Sequence, residues 1–130
     1  MAVRYGVIGC GMMGQEHLRN IALLPGATVT SIFEPNDEMA AASLAMVPGA
    51  RRSESIDAVV TASDVDCLFI ASPNFRHAEQ LREIAALRDI PVLLESPPAP
   101  IWMMWRPWLH SPAITKRPFG SLWSVRLQMV

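Results

Sequence analysis

The stretch Gly9-Cys10-Gly11-Met12-Met13-Gly14 decides the fold of this 130-residue chain. It fits the pattern G-x-G-x-x-G, in which the first glycine makes a tight turn and the second lets backbone approach a pyrophosphate. The third glycine lets a helix pack closely on a strand. The pattern alone is weak, because a glycine turn needed only for packing has the same sequence. Its surroundings therefore decide its meaning.

Strand and helix patterns alternate on both sides of this motif. A short apolar run over 4–8 ends at the glycines, and apolar residues at helical spacing follow over 15–24. The run over 67–71 is apolar throughout, as expected for a strand covered on both faces. The other predicted segments are strands over 27–33, near 50–52 and over 92–94, and helices over 37–46, around 56–60 and over 75–87. This order predicts an α/β fold with a doubly wound parallel sheet.

A carboxylate occurs where a dinucleotide-binding fold needs one. Glu34 ends the second predicted strand, 20 residues beyond Gly14, and a carboxylate at this place accepts hydrogen bonds from an adenosine ribose. The N-terminus of the helix after the glycines would bind phosphate without a basic side chain. These coincidences favour dinucleotide binding and a Rossmann-like sheet. The alternatives are a turn needed only for packing and a solvated loop acid at Glu34.

The residues after Glu34 bear on the choice of cofactor. Pro35 and Asn36 follow it, where an NADP-binding chain commonly has an arginine. A ribose 2′-phosphate would therefore meet negative charge with no cation to balance it. NAD is favoured over NADP.

A second candidate segment follows the strand predicted over 67–71. Ser72, Pro73 and Asn74 come directly after it, and His77 lies about one helical turn further on. Because the carboxyl ends of parallel strands line the ligand crevice, these residues are expected beside the glycine turn. Taken alone, Asn74 is more often a helix N-cap, and His77, like His17, is more often a packed or surface histidine.

The other reactive or soft side chains carry weaker signals. Met12 and Met13 belong to the candidate phosphate loop, although methionines are most simply packing residues. Cys10 lies in the same loop without a neighbouring base or metal ligand, and Cys67 is expected to be a buried strand residue. The spacings indicate no metal site.

Together these residues resemble the N-terminal domain of the Gfo/Idh/MocA oxidoreductases over about residues 4–97. The resemblance is carried by the glycine turn through Gln15-Glu16-His17, Glu34, Ser72-Pro73-Asn74 with His77, and Val92-Leu93-Leu94-Glu95 before a proline. It implies an NAD(P)-binding Rossmann domain and hydride transfer at a hydroxyl or carbonyl carbon, commonly of sugars or cyclitols. It also adds Glu95 to the candidate cofactor-binding residues.

One departure from the family pattern concerns the chemistry. In that family the last strand ends Glu-Lys-Pro, and the lysine reaches both nicotinamide and substrate. Here Glu95-Ser96-Pro97 stands at these positions, and serine cannot replace a cationic donor on a long stem. No catalytic residue is therefore assigned. The family's second α/β domain, with its substrate pocket, has no room in the remaining 33 residues. We expect an oxidoreductase fragment that is inactive alone; the alternative is a non-catalytic dinucleotide-binding or protein-interaction module.

Composition also changes at Ser96. Residues 1–95 hold 7 basic and all 12 acidic residues, a formal charge of −5 by difference, whereas residues 96–130 hold 4 basic residues and no acids. The second segment also contains all 4 tryptophans and 6 of the 11 prolines. This predicts a Rossmann domain over 1–95 and an irregular, atypical tail over 96–130.

A change of reading frame would explain this join. Loss of one nucleotide from GAA AAG CCC turns Glu-Lys-Pro into Glu-Ser-Pro, and rereading the tryptophan-rich stretch 101–106 in the earlier frame restores acidic residues. Our hypothesis is that the tail is a frameshift product and the chain a truncated enzyme. The alternative is a selected Pro/Trp segment that packs on the domain or binds a partner.

The whole composition excludes several classes of protein. A formal net charge of −1 without a basic stripe argues against a nucleic-acid partner. Two cysteines in a chain of this length do not build a disulfide scaffold, so a cytoplasmic location is expected. No apolar run approaches the ~20 residues that span a bilayer, and no signal peptide or membrane partner is expected. The substrate and the oligomeric state stay open.

Overall fold

The computed structural model describes residues 2–95 together with the backbone of Gln128–Met129. The strands are β1 (Val3–Ile8), β2 (Ala27–Phe33), β3 (Arg51–Arg52), β4 (Cys67–Ile70), β5 (Val92–Leu94) and β6 (Gln128–Met129). The α-helices are α1 (Met12–Leu23), α2 (Asp37–Met46), α3 (Ile56–Val60) and α4 (His77–Leu87), and a 3₁₀ turn (Asn74–Arg76) precedes α4.

The six strands form one sheet in the order β3-β2-β1-β4-β5-β6, and every neighbouring pair is parallel. The chain starts in the middle at β1, moves outward through β2 and β3, and returns to the other side of β1 with β4. The predicted α/β, doubly wound parallel sheet is confirmed. In such a sheet the crevice between the carboxyl ends of β1 and β4 is the place where ligands bind.

Two hydrophobic clusters cover the two faces of the sheet. Successive strand residues alternate between them, so that Val7 and Phe69 face the cluster of α1, while Ile8 and Leu68 face the cluster of α3 and α4. All four residues of β4 are buried, which confirms the expectation from its unbroken apolar run. The central strands are therefore fixed from both sides, and so are the loops at their carboxyl ends.

Three details differ from the sequence prediction. Helix α1 begins at Met12 rather than at residue 15, because the end of the glycine motif is already helical. The helical spacing of apolar residues over 75–87 predicts Ala85 and Leu87 on the inner side of α4, but both are exposed. That side is formed by His77, Gln80, Leu81 and Ile84. The short strand β6 was not predicted at all.

The tail expected over 96–130, including Ser96, lies outside the described residues except for the backbone of Gln128–Met129. That short strand pairs with β5, with Leu93 opposite Gln128 and Leu94 opposite Met129. Within the described part of the chain, no helix combines the length and the apolar character needed to cross a membrane.

Candidate functional site

The three glycines of the motif lie in three different environments. Gly9 has φ +89°, and a Cβ at this position would lie 2.5 Å from the backbone nitrogen of Ser72. A Cβ on Gly14 would overlap the carbonyl oxygen of Gly9, so only glycine lets α1 approach the loop. A Cβ on Gly11, in contrast, would meet nothing within 4 Å. These are the turn, the close packing and the open approach that the motif predicts.

The N-terminus of α1 is open. Gly11 is its N-cap, no side chain caps it, and its first turn carries no acidic residue. Helix α2, in contrast, begins with the side chain of Asn36 accepting a hydrogen bond from the Met39 amide. Because the first amides of a helix lack intrahelical acceptors and carry partial positive charge, the start of α1 suits an anion.

Glu34 is buried at the carboxyl end of β2 and connects two parts of the site. One carboxylate oxygen accepts a hydrogen bond from the Cys10 amide at 2.8 Å, and the other accepts one from the Asn36 amide at 2.9 Å. The side chain thus fixes the glycine loop against the turn between β2 and α2. A carboxylate offers about four acceptor positions, so both oxygens can still accept from a ribose hydroxyl.

A cation does lie at this turn, which corrects the sequence argument about the residues after Glu34. The Arg52 guanidinium donates to the carbonyl oxygen of Glu34 at 2.9 Å and to that of Pro35 at 3.3 Å. It also forms an ion pair with Asp37 at 2.8 Å. Arg52 comes from β3, which pairs with β2, so proximity in the sheet supplies what the neighbouring sequence lacks.

The turn after β4 is held from behind by α4. The ring of His77 is fully buried, and its Nε2 lies 2.6 Å from the carbonyl oxygen of Ser72. Because a carbonyl only accepts, Nε2 carries the proton. Within the described residues, Nδ1 has no partner. The hydroxyl of Ser72 in turn donates to Oε1 of Gln80. The alternative interpretation of Asn74 as the N-cap of α4 is wrong, because Arg76 occupies that position.

A cavity of about 720 Å³ opens between these elements. Nine predicted site residues line it: Gly9, Gly11, Met12, Met13, Glu34, Ser72, Pro73, Asn74 and Glu95. Gly14 and His77 are not among the lining residues, but Gly14 packs on Gly9 and His77 is hydrogen-bonded to Ser72, and both of these partners line the cavity.

Eight further lining residues were not predicted as site residues: Ile8, Phe33, Pro35, Met39, Ala71, Phe75, Arg76 and Gln80. Their positions in the sequence could have indicated them, because they lie close to predicted site residues: at the end of a strand, in the same turn, or in the helix that follows. The cavity has an apolar rim, because Met12 is 84% exposed, Phe75 83% and Met39 42%.

The remaining reactive side chains are packed into the fold. Burial raises the pKa of the Cys10 thiol to about 11, and it does the same to Cys67, so neither forms a thiolate readily. The His17 ring packs against Phe69 with a centroid distance of 4.4 Å. Within residues 2–95, no group of three or more His, Cys, Asp or Glu side chains is placed to hold a metal ion.

Known proteins share this arrangement. Residues 3–110 match the family described as "Oxidoreductase family, NAD-binding Rossmann fold", which is the Gfo/Idh/MocA family. The chain belongs to this family. The match continues past Pro97, where the resemblance was expected to end.

Similar proteins include inositol dehydrogenases and a dehydrogenase solved with a nucleotide sugar. Inositol 2-dehydrogenase of Leifsonia xyli is 39% identical over 99 residues, which are 75% of this chain and 29% of that protein. The structure of myo-inositol dehydrogenase from Lactobacillus casei with NAD(H) and myo-inositol superposes with a TM-score of 0.77 at 23% identity, over 98% of this chain and 36% of that one. The WlbA dehydrogenase of Bordetella pertussis with NADH and UDP-GlcNAcA gives a TM-score of 0.69 at 30% identity, over 80% and 32%. The chain spans about a third of the length of these relatives.

The site fits the dinucleotide that the family description implies. The open space at Gly11 leaves room for a pyrophosphate against the backbone, and the uncapped start of α1 supplies donors for it. Glu34 lines the same cavity with acceptor capacity for a ribose. Donors and acceptors therefore lie on the sides where such a cofactor needs them.

Proposed function

We propose that this chain is the cofactor-binding part of an NAD-dependent oxidoreductase acting at a hydroxyl or carbonyl carbon of a cyclitol- or sugar-like substrate. The observation that carries the proposal is the meeting of Gly11, open to solvent, and Glu34, a buried acceptor, in one cavity. The inositol dehydrogenases among its relatives support the substrate class. Glu34 supports NAD, because its carboxylate would repel a 2′-phosphate.

Each wall of the cavity has its own role in this proposal. The amides of Met12 and Met13 at the start of α1 bind the pyrophosphate, and the carboxylate of Glu34 accepts the ribose hydroxyls. The exposed side chains of Met39 and Phe75 provide apolar contacts for the adenine ring. Bound NAD supplies the acceptor for a hydride. The protein fixes where that acceptor lies.

We further propose that this chain binds the cofactor without turning over a substrate by itself. Ser96 stands where the family has the lysine that reaches nicotinamide and substrate, and a short neutral hydroxyl cannot take over that role. The same observation favours the second candidate function, a non-catalytic dinucleotide-binding or protein-interaction module. No nucleic-acid or membrane partner is proposed, and the cytoplasmic location stays a prediction.

Cofactor binding is tested by titrating the purified chain with NADH and measuring the fluorescence of NADH. Gly11→Val places methyl groups in the open approach, so we expect NADH affinity to fall at least about tenfold. Thermal stability should change little, because the added Cβ meets no neighbour. Gly49→Val is the matched control, since a Cβ at Gly49 also meets nothing within 4 Å and lies outside the cavity. Failure of the well-folded chain to bind NADH would refute the proposal.

Turnover is a separate measurement. With NAD and myo-inositol, scyllo-inositol or free sugars, we expect no formation of NADH above the blank. Turnover of any of these would show that the lysine is dispensable and would overturn the proposal of an inactive chain. Binding without turnover fits both the inactive oxidoreductase part and the non-catalytic module. Capture of a defined partner by the chain would then favour the module.

The frameshift hypothesis is tested on the coding DNA. If the frame one nucleotide earlier reads Lys-Pro directly after the codon for Glu95 and continues into a second domain, the tail is a frameshift product. Early stop codons in that frame would refute the hypothesis and favour a selected tail.

A further inference from the structure

Arg52 is placed where it can decide which dinucleotide the site accepts. Its guanidinium reaches across from β3 to the turn that carries Glu34, and it donates to two carbonyl oxygens of that turn. Its remaining nitrogen pairs with Asp37, whose side chain is 90% exposed. The turn thus carries a cation that is already engaged by a neighbouring acid.

We propose that Asp37 and Arg52 together determine the discrimination between NAD and NADP. Asp37 pairs with the Arg52 guanidinium, which would otherwise bind the 2′-phosphate. The inference rests on the proposed dinucleotide site. It places the origin of NAD preference in two carboxylates, Glu34 and Asp37, and not in the lack of a positive charge.

The charges around the turn support this assignment. Glu34, Asp37 and Glu38 bring three carboxylates to the end of β2 and the first turn of α2, where the guanidinium of Arg52 is bound. A 2′-phosphate would add further negative charge to this surplus. Once Asp37 is neutral, Nη1 of the guanidinium can donate to a phosphate in a charge-assisted hydrogen bond, while Nε and Nη2 stay on the carbonyl oxygens of the turn.

The ion pair itself is weak enough to be replaced. Both partners are partly or fully exposed, with side-chain exposures of 37% for Arg52 and 90% for Asp37. Exposed pairs of this kind contribute little to stability, so Asp37 can be changed without unfolding the chain. Arg52 also stays braced by the carbonyl oxygens of Glu34 and Pro35, which keeps its guanidinium at the turn.

The test is a double-mutant cycle on the affinity for NADPH and NADH, measured by fluorescence titration at low ionic strength. We expect Asp37→Asn to raise NADPH affinity about tenfold and to leave NADH affinity within about twofold. Combined with Arg52→Ala, the gain for NADPH should disappear. Added salt should reduce the gain, since it comes from charge.

The neighbouring pair supplies matched controls. Arg51 stands beside Arg52 in β3, but it pairs at 2.5 Å with Asp64 of the loop before β4, and neither residue lines the cavity. Asp64→Asn and Arg51→Ala make the same changes of charge away from the cavity, and they should leave NADPH affinity unchanged. An equal gain from Asp64→Asn would show that net charge alone is responsible.

Each outcome decides between the two proposals. If the wild-type chain binds no NADH, the proposed function fails and this inference falls with it. If NADH binds but Asp37→Asn brings no gain for NADPH, only the inference is wrong. If the gain survives in the Arg52→Ala background, Asp37 repels the phosphate directly and Arg52 has no part in the choice.

Discussion

The two ends of the sheet are held together by different kinds of interaction. At the carboxyl end, the contacts are buried and largely involve backbone: Glu34 accepts from two amides, and Ser72 is bound through its carbonyl and its hydroxyl. At the amino end, Arg4 pairs with Asp66 at 2.9 Å, and both side chains are about 40% exposed. Apart from the exposed Arg52–Asp37 pair, the carboxyl end is held by buried hydrogen bonds, whereas the amino end depends on ion pairs in contact with water.

Charged side chains at the amino end gather around the loop between α3 and β4. Arg51 pairs with Asp64, and Arg88 donates to the carbonyl oxygens of Val60 and Ala62. Exposed ion pairs are screened and contribute little each, whereas a buried group that loses its partner costs the full desolvation of that group. Substitutions at the carboxyl end of the sheet should therefore destabilise the chain more than substitutions at the amino end.

Gly14→Ala should have the largest effect. The added Cβ would overlap the Gly9 carbonyl and push α1 away from the loop. Overpacking of this kind costs about 3 kcal/mol, which exceeds the gain of about 1 kcal/mol in helix propensity. We expect a lower urea midpoint of unfolding and loss of NADH binding. Gly49→Ala, in open space, should change neither quantity, and equal effects at both positions would contradict the packing role of Gly14.

His77→Leu should have an intermediate effect. The substitution keeps most of the volume but leaves the buried carbonyl of Ser72 without its donor, at a cost of about 1–2 kcal/mol. Because Ser72 lines the cavity and packs on Gly9, NADH affinity should also fall. This makes His77 a positioning residue.

Rescue distinguishes positioning from bulk packing. The amide of a glutamine can donate to the same carbonyl, so His77→Gln should regain NADH affinity relative to His77→Leu. Equal NADH affinity in the two variants would contradict the role of the hydrogen bond to Ser72.

Much of the fold could be predicted because its signals are local. The unbroken apolar run of β4 and the β-branched run of β2 mark strands by themselves, and the three glycines mark the turn between β1 and α1. Glu34 could be predicted for the same reason, since its position depends on the length of one strand-helix-strand unit.

The missed features depend on contacts between distant segments. Arg52 reaches the site only because β3 pairs with β2, and a strand of two residues gives almost no pattern. The burial of His77, a polar residue, depends on the carbonyl of Ser72 behind it, which no periodicity reveals. Likewise Leu87 looks like a core residue but extends past the edge of the core that α4 covers.

The smallest effect should come from the amino end, where acid should weaken one exposed pair. The Arg4 guanidinium and amide donate to Asp66 and lower the pKa of that carboxyl from 3.8 to about 2. Since the folded pKa lies below the unfolded one, this contribution to stability is present above about pH 4 and is lost as the pH falls towards 2. Arg4→Gln should therefore lower the melting temperature slightly at neutral pH, and the gap to wild type should close in acid. Arg19→Gln removes the same charge from a pair within α1 and serves as control. A gap for Arg4→Gln that stays constant down to about pH 2 would show that the ion pair with Asp66 does not stabilise this end of the sheet.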